Sequence, residues 1–68
     1  MWIGDRIYFI SDRDATMNIY SMNPDGSGIK QHTFHDEYDI RWPSHQGTKI
    51  VYMNGGDIWM LDTVSRDY

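Results

Sequence analysis

The sequence predicts an all-β chain, antiparallel strands forming two incomplete copies of one four-stranded unit, with no helix. Three observations predict it. The apolar segments are short, β-branched or aromatic, and bounded by turn residues. "GDRIYFI" (Gly4–Ile10) aligns with "GTKIVYM" (Gly47–Met53), and "NIYSMN" (Asn18–Asn23) with "DIWMLD" (Asp57–Asp62). No window shows apolar residues recurring over several turns at helical spacing. The first aligned pair is offset by 43 positions and the second by 39, because "SDRDATM" joins the strands in one copy and "NGG" in the other. A repeat of about 40–45 residues holding four short strands is the period of a β-propeller blade.

With the blade strands lettered a to d from the axis outward, the elements follow in order. Met1–Ile3 is the trailing edge of a strand a whose body would lie before Met1. "RIYFIS" (Arg6–Ser11) is strand b, with Ile7 and Phe9 facing one way and Tyr8 and Ile10 the other. Apolar residues on both faces belong to a sheet sandwiched between neighbours. Asn18–Asn23 is strand c and Ile29–Phe34 strand d. The stretch between them, "SMNPDGSGIKQHT" (Ser21–Thr33), reads as the c–d hairpin. Asn23 and Pro24 start a turn, and Gly26 and Gly28 supply the left-handed conformations that a bulged hairpin needs. Ser27 lies between glycines but has no strand–turn–helix context for a nucleophile, and a phosphate loop would need a following helix and a Lys-Ser/Thr pair. Strands a, b and c of the next blade are Tyr38–Trp42, Lys49–Met53 and Asp57–Leu61, and its strand d would begin near Tyr68. The chain thus reads as a single fragment, 1–68, of about one and a half blades: an incomplete first blade over 1–36 and an incomplete second over 37–68.

Composition narrows the partners. A net charge of −4 with the acidic residues dispersed argues against nucleic acid and anionic membranes, which require clustered Lys and Arg. No apolar run approaches the length of a membrane span. "MWIGDRIYFI" has neither a basic region ahead of its apolar part nor a small-residue cleavage site, so it does not read as a signal peptide. With no cysteine, disulfides and thiolate zinc sites are excluded. In 68 residues, aromatics at 15% and five Met supply more apolar surface than so small a core can bury.

"RIYFISD…NIYSMNPDGSGIKQHT" resembles the propeller repeats shared by TolB, the tricorn proteases and the prolyl-oligopeptidase relatives, WD-like repeats that pair an I-x-F-x-S-D strand with a Y-x-M-(N/D)-x-D-G hairpin. The family's usual Leu-Thr closing strand d is His32-Thr33 here. The order that follows, "FHDEYDIRW" then "GTKIVYMNGGDIWMLD", is similar to the six-bladed propeller of tricorn-type proteases over nearly the whole chain. In those proteases the catalytic Ser and His lie in C-terminal domains beyond the propellers and a PDZ domain, and no position here matches that motif. The resemblance therefore implies a structural or interaction module that forms a peptide channel or filter in its parent, a tricorn-type serine protease, and has no catalytic residues of its own. The alternative is a piece of a TolB-like periplasmic scaffold that binds a protein partner. The compartment follows the choice, cytoplasmic if tricorn-like and periplasmic if TolB-like.

Four constellations bring together residues that could carry chemistry. "HTFHDEYD" places His32, His35, Asp36, Glu37 and Asp39 at close spacing, but in a strand residues three apart point to opposite faces, so a polar d-to-a connection is the expected reading. Asp12 and Asp14 faintly resemble a calcium loop that lacks its sixth-position Gly and twelfth-position Glu. Trp42, Trp59, Tyr20 and Tyr52 could form a stacking platform, yet on blade strands they are expected in the core, while Trp2 is expected to be exposed. Asp5, Asp57 and Asp62 sit at strand ends, where turn capping explains them, and no nucleophile–base pair follows from spacing. No catalytic, cofactor-binding or metal residue is assigned, and no cofactor is expected. The expected partners are the remaining blades or further copies of the chain. Uncovered faces would join head to tail into a ring or fibre, with three copies matching a six-bladed ring imperfectly.

The hairpin reading is directly testable. Gly26→Val puts a β-branched side chain where positive φ is required and is expected to cost about 1–2 kcal/mol. An unchanged melting curve would show ordinary φ at Gly26 and a wrong turn assignment.

Overall fold

A computed structural model describes residues 1–13 and 15–68. Its described residues hold seven strands and no helix: β1 (Trp2–Ile3), β2 (Arg6–Ser11), β3 (Asn18–Met22), β4 (Lys30–Gln31), β5 (Ile40–Gln46), β6 (Lys49–Asn54) and β7 (Asp57–Asp62). They form two antiparallel sheets, one ordered β1-β2-β3-β4 and the other β5-β6-β7. The internal repeat is preserved in the pairing. Ile7 faces Met22 as Ile50 faces Leu61, and Phe9 faces Tyr20 as Tyr52 faces Trp59.

The first sheet has four strands because the trailing edge of strand a is itself paired. Trp2 and Ile3 oppose Ile7 and Arg6, and Met1 exchanges both of its backbone bonds with Tyr8. Three of the expected strands end one residue away from the expected limit, and two others differ by more. Strand d shrinks from Ile29–Phe34 to Lys30–Gln31 because side chains take over the ladder beyond it. His32 N–H still donates to the Ile19 carbonyl, but Ile19 N–H donates to Thr33 Oγ1 at 2.9 Å. Strand a shifts from Tyr38–Trp42 to Ile40–Gln46. The Tyr38 carbonyl accepts from Asn54 Nδ2, and Asp39 Oδ1 accepts the Met17 N–H, so both residues join segments rather than extend a strand.

The hairpin between β3 and β4 is a three-residue loop, Pro24–Gly26. Gly26 N–H donates to Asn23 O and Asn23 N–H to Ser27 O, with Gly26 at φ 89°. Asn23 opposes Ser27 across the turn while Ser21 opposes Lys30 in the sheet, so the returning strand carries one extra residue. Gly28, at φ 65°, lies in that interval. Arg6 braces the hairpin from β2. Its guanidinium donates to Ser21 Oγ, Asn23 Oδ1 and the Gly28 carbonyl.

The core lies between the sheets. Tyr8 and Ile19 of the first and Ile40, Ile50, Tyr52 and Leu61 of the second form one buried cluster with Ile3, and Ile10 and Trp59 pack against it. At about 25 cal/mol per Å² of apolar surface, burying each of these side chains contributes about 1.5–3 kcal/mol. The linker is held by a buried polar network. Asn18 Oδ1 accepts from Thr33 Oγ1 and His35 N–H, and Asn18 Nδ2 donates to the His35 carbonyl. Asn18 and Thr33 are fully buried, so each bond replaces water that cannot enter.

Thr33→Val preserves shape while leaving the Ile19 N–H unpaired and removing a donor from Asn18. The expected cost is about 1–3 kcal/mol. Urea denaturation of the pair measures it, and a difference below a few tenths would mean that the network does not hold the linker.

Candidate functional site

Three loops converge at one end of the sheets and enclose a groove of about 470 Å³, lined by Ala15 and Thr16, by Glu37–Asp39 with Arg41 and Trp42, and by Met53 with Gly55 and Gly56. Each wall has a local cause. The Asp39 carboxylate and the Ile40 N–H bind the backbone of Met17, drawing the β2–β3 loop against the start of β5. Opposite it, Asn54-Gly55-Gly56-Asp57 is a two-residue hairpin with both glycines at positive φ, the geometry that matches strand twist. A Cβ on Gly55 would lie 2.6 Å from the Tyr38 ring, so the aromatic rests directly on that backbone.

Trp42 departs from expectation. It is 73% exposed rather than in the core. The cause is its neighbour: Pro43 has no N–H for the ladder, and the strand carries it in a bulge in which Trp42 and Pro43 together oppose Tyr52. Trp42 takes a φ of 50°, a left-handed conformation that costs a side-chain-bearing residue about 1–3 kcal/mol. The other three aromatics do lie inside. Tyr20 and Tyr52 are buried and Trp59 packs on the core, whereas Trp2 is exposed as expected.

The acidic–histidine stretch does not converge. His32 Nε2 lies 2.6 Å from Ser21 Oγ in the first sheet, with its ring 5.2 Å from Tyr8. His35 turns toward the second sheet, where Nε2 is 2.9 Å from Tyr52 Oη and the ring meets Tyr52, Trp59 and Tyr68 edge-on. Asp36, Glu37 and Asp39 are all exposed, and no three metal-ligating groups cluster among the described residues. The Asp12–Asp14 pair falls partly outside the described residues, since Asp14 is not among them. Asp62 caps the backbone of Val64 and Ser65, and Asp5 and Asp57 are exposed. Ser27 is exposed and bonded to Asp25, which holds the Asp25 carboxyl below its ordinary value, and no histidine among the described residues bonds that hydroxyl.

Sequence spacing missed one nucleophile–base pair, Ser21 with His32. The signal was in the register: with Ser21 opposite Lys30, residues 21 and 32 are diagonal neighbours on one face. The geometry is not that of an active site. Ser21 is wholly buried, Arg6 Nε donates to its oxygen at 2.9 Å, and the groove lies elsewhere. The Arg6 charge favours neutral His32 as acceptor of the Ser21 proton. Burial, then Arg6, Arg66 and Lys30, lower the His32 pKa. Burial also lowers that of His35, with Asp36 opposing.

The sequence matches the family described as the tricorn protease N-terminal beta propeller domain over residues 1–67. It is 48% identical over 60 residues to the tricorn protease of Thermoplasma volcanium, covering 88% of this chain and 6% of that protein. To tricorn protease homolog 1 of Streptomyces coelicolor it is 41% identical over 61 residues, covering 90% of this chain and 6% of the relative. The fold superposes on a crystal structure of the tricorn protease with a TM-score of 0.92 and 33% identity, over 98% of this chain and 6% of the other. The chain therefore spans a small part of the proteins it matches.

Two histidines favoured as neutral rings, His32 buried and His35 half-buried, set a pH dependence. Because both folded-state pKa values are lowered, the unfolded chain takes up protons first as pH falls. Stability is full above the ordinary histidine value of about 6.5 and is lost progressively below it. Thermal melting between pH 7.5 and 5 is expected to show this fall, and a His32→Gln, His35→Gln double variant to flatten it. A wild-type melting temperature independent of pH in that window would contradict the assignment.

Proposed function

The chain belongs to the tricorn protease N-terminal beta propeller family, and on that premise we propose that it is a non-catalytic interaction module whose Trp42 groove forms part of a peptide passage. The observation that carries the reading is the bulge. A tryptophan held in a costly backbone conformation and turned into solvent, beside Tyr38, Glu37 and Arg41, is a feature the core does not need. An aromatic face with flanking charges suits extended peptides of mixed sequence, since it offers stacking and polar contacts without a pocket for one side chain. The reading of the chain as inert rests on Ser21, the one serine hydroxyl that the described residues place against a histidine, which is sealed from solvent.

The test uses a panel of short unstructured peptides, some fluorogenic. No hydrolysis is expected, together with weak saturable binding that Trp42→Ala weakens about fivefold, the loss of one aromatic contact worth about 1 kcal/mol. Turnover by the purified chain would overturn the non-catalytic reading, and binding unchanged by Trp42→Ala would overturn the groove.

A further inference from the structure

The two sheets pack through unlike faces, and the repeat shows where each face recurs. Tyr8, Ile10, Ile19 and Ser21 share the face of the first sheet turned toward the second, which answers with Ile50, Tyr52, Trp59 and Leu61. The sequence repeat equates Tyr8, Ile10, Ile19 and Ser21 with Val51, Met53, Ile58 and Met60. It likewise equates Ile50, Tyr52, Trp59 and Leu61 with Ile7, Phe9, Tyr20 and Met22. Each partner in the buried interface thus has a counterpart on the far side of the other sheet. On the second sheet that counterpart is open, with Ile58 75% exposed and Val51 and Met60 exposed beside it. On the first, Ile7, Phe9 and Met22 are half-buried beside a buried Tyr20, and Ile29 is exposed just before β4.

We propose that the Val51–Met53–Ile58–Met60 face of one chain binds the Ile7–Phe9–Met22 face of a second copy, head to tail, repeating the packing already present between its own sheets. The capping of the rings supports the match. Inside the chain, His35 stands over the Tyr52–Trp59 pair with centroid distances of 5.6 and 4.9 Å. Over the equivalent Phe9–Tyr20 pair stands the Arg13 guanidinium, at 5.5 and 5.2 Å. The ring pair of the first sheet therefore already has its cap and lacks only the aliphatic layer that an opposing Ile58 and Met60 would supply. Because the two faces are different, the contact is heterologous. It must close into a ring or continue as a fibre, and a symmetric two-fold dimer cannot satisfy it. The Val51–Met53–Ile58–Met60 face shares Met53 with the groove, but its test turns on Ile58 and Met22, whereas the peptide reading stands or falls on Trp42.

Complementation tests the pairing. Ile58→Lys blocks one face and Met22→Lys the other, and circular dichroism reports whether each stays folded. Light scattering after gel filtration is expected to find wild type as an assembly and each variant as a monomer of 8.1 kDa. The equimolar mixture should form a dimer of twice that mass, because one intact face remains on each chain. A monomeric wild type at 100-fold the concentration of an ordinary micromolar assay, variants that still assemble, or a mixture that stays monomeric would each overturn the proposal. Should Met22→Lys unfold, a nitroxide on an Ile58→Cys copy reads the same contact. It is expected to broaden the amide signals of Ile7, Phe9 and Met22 in an isotope-labelled wild-type copy, and broadening elsewhere or nowhere would contradict the pairing.

Discussion

A sheet with apolar residues on both faces has no side it can leave in water, and the architecture follows from that constraint. In the first sheet the alternation of Arg6–Ser11 places Tyr8 and Ile10 on one side and Ile7 and Phe9 on the other. Neither side carries the polar row that a half-exposed strand would have. With no helix among the described residues, the neighbour available to such a sheet is another like it, laid face to face, and the core cluster shared by both sheets is the result. The linker, the brace and the bulge are arrangements that let one chain place two such sheets in contact.

The linker is the harder part, because a segment passing between two apolar layers must not bring unpaired backbone with it. Here side chains substitute for a ladder. Thr33 takes the Ile19 N–H, and Asn18 serves both Thr33 and the backbone of His35. His35 then hands the chain to the second sheet through Tyr52 Oη. Short polar residues with two-sided hydrogen-bonding capacity are what this position demands. A longer regular strand d would have paired the backbone equally well but would have carried the chain past the point where it must cross.

Much of this was legible in the residues. The two aligned pairs of segments revealed the repeat, and their differing offsets located the variable loop. Asn23-Pro24-Asp25-Gly26 specified its own turn, because a fixed φ and a glycine at defined positions leave few alternatives. What escaped was non-local. Pro43 was visible, but whether β5 would stop at it or bulge around it depends on β6 continuing to pair on both sides, which no local pattern encodes. The Ser21–His32 pair required the hairpin register to within one residue, and the extra residue in the interval holding Gly28 set that register. The aromatic character of Trp42 suggested the core, because nothing in the sequence marks a tryptophan as one that a bulge will evict.

The two b–c connections differ in length while the strands beside them do not differ in register. Six residues separate β2 from β3 and two separate β6 from β7, yet Ile10 opposes Ile19 as Met53 opposes Ile58. Closing the longer loop costs only about 1 kcal/mol more, since the penalty grows with the logarithm of length. A lineage can therefore lengthen or shorten this rim loop by small insertions and deletions without retuning the layers beneath. The groove wall that Ala15 and Thr16 contribute is then free to diversify at a different pace from the core that supports it.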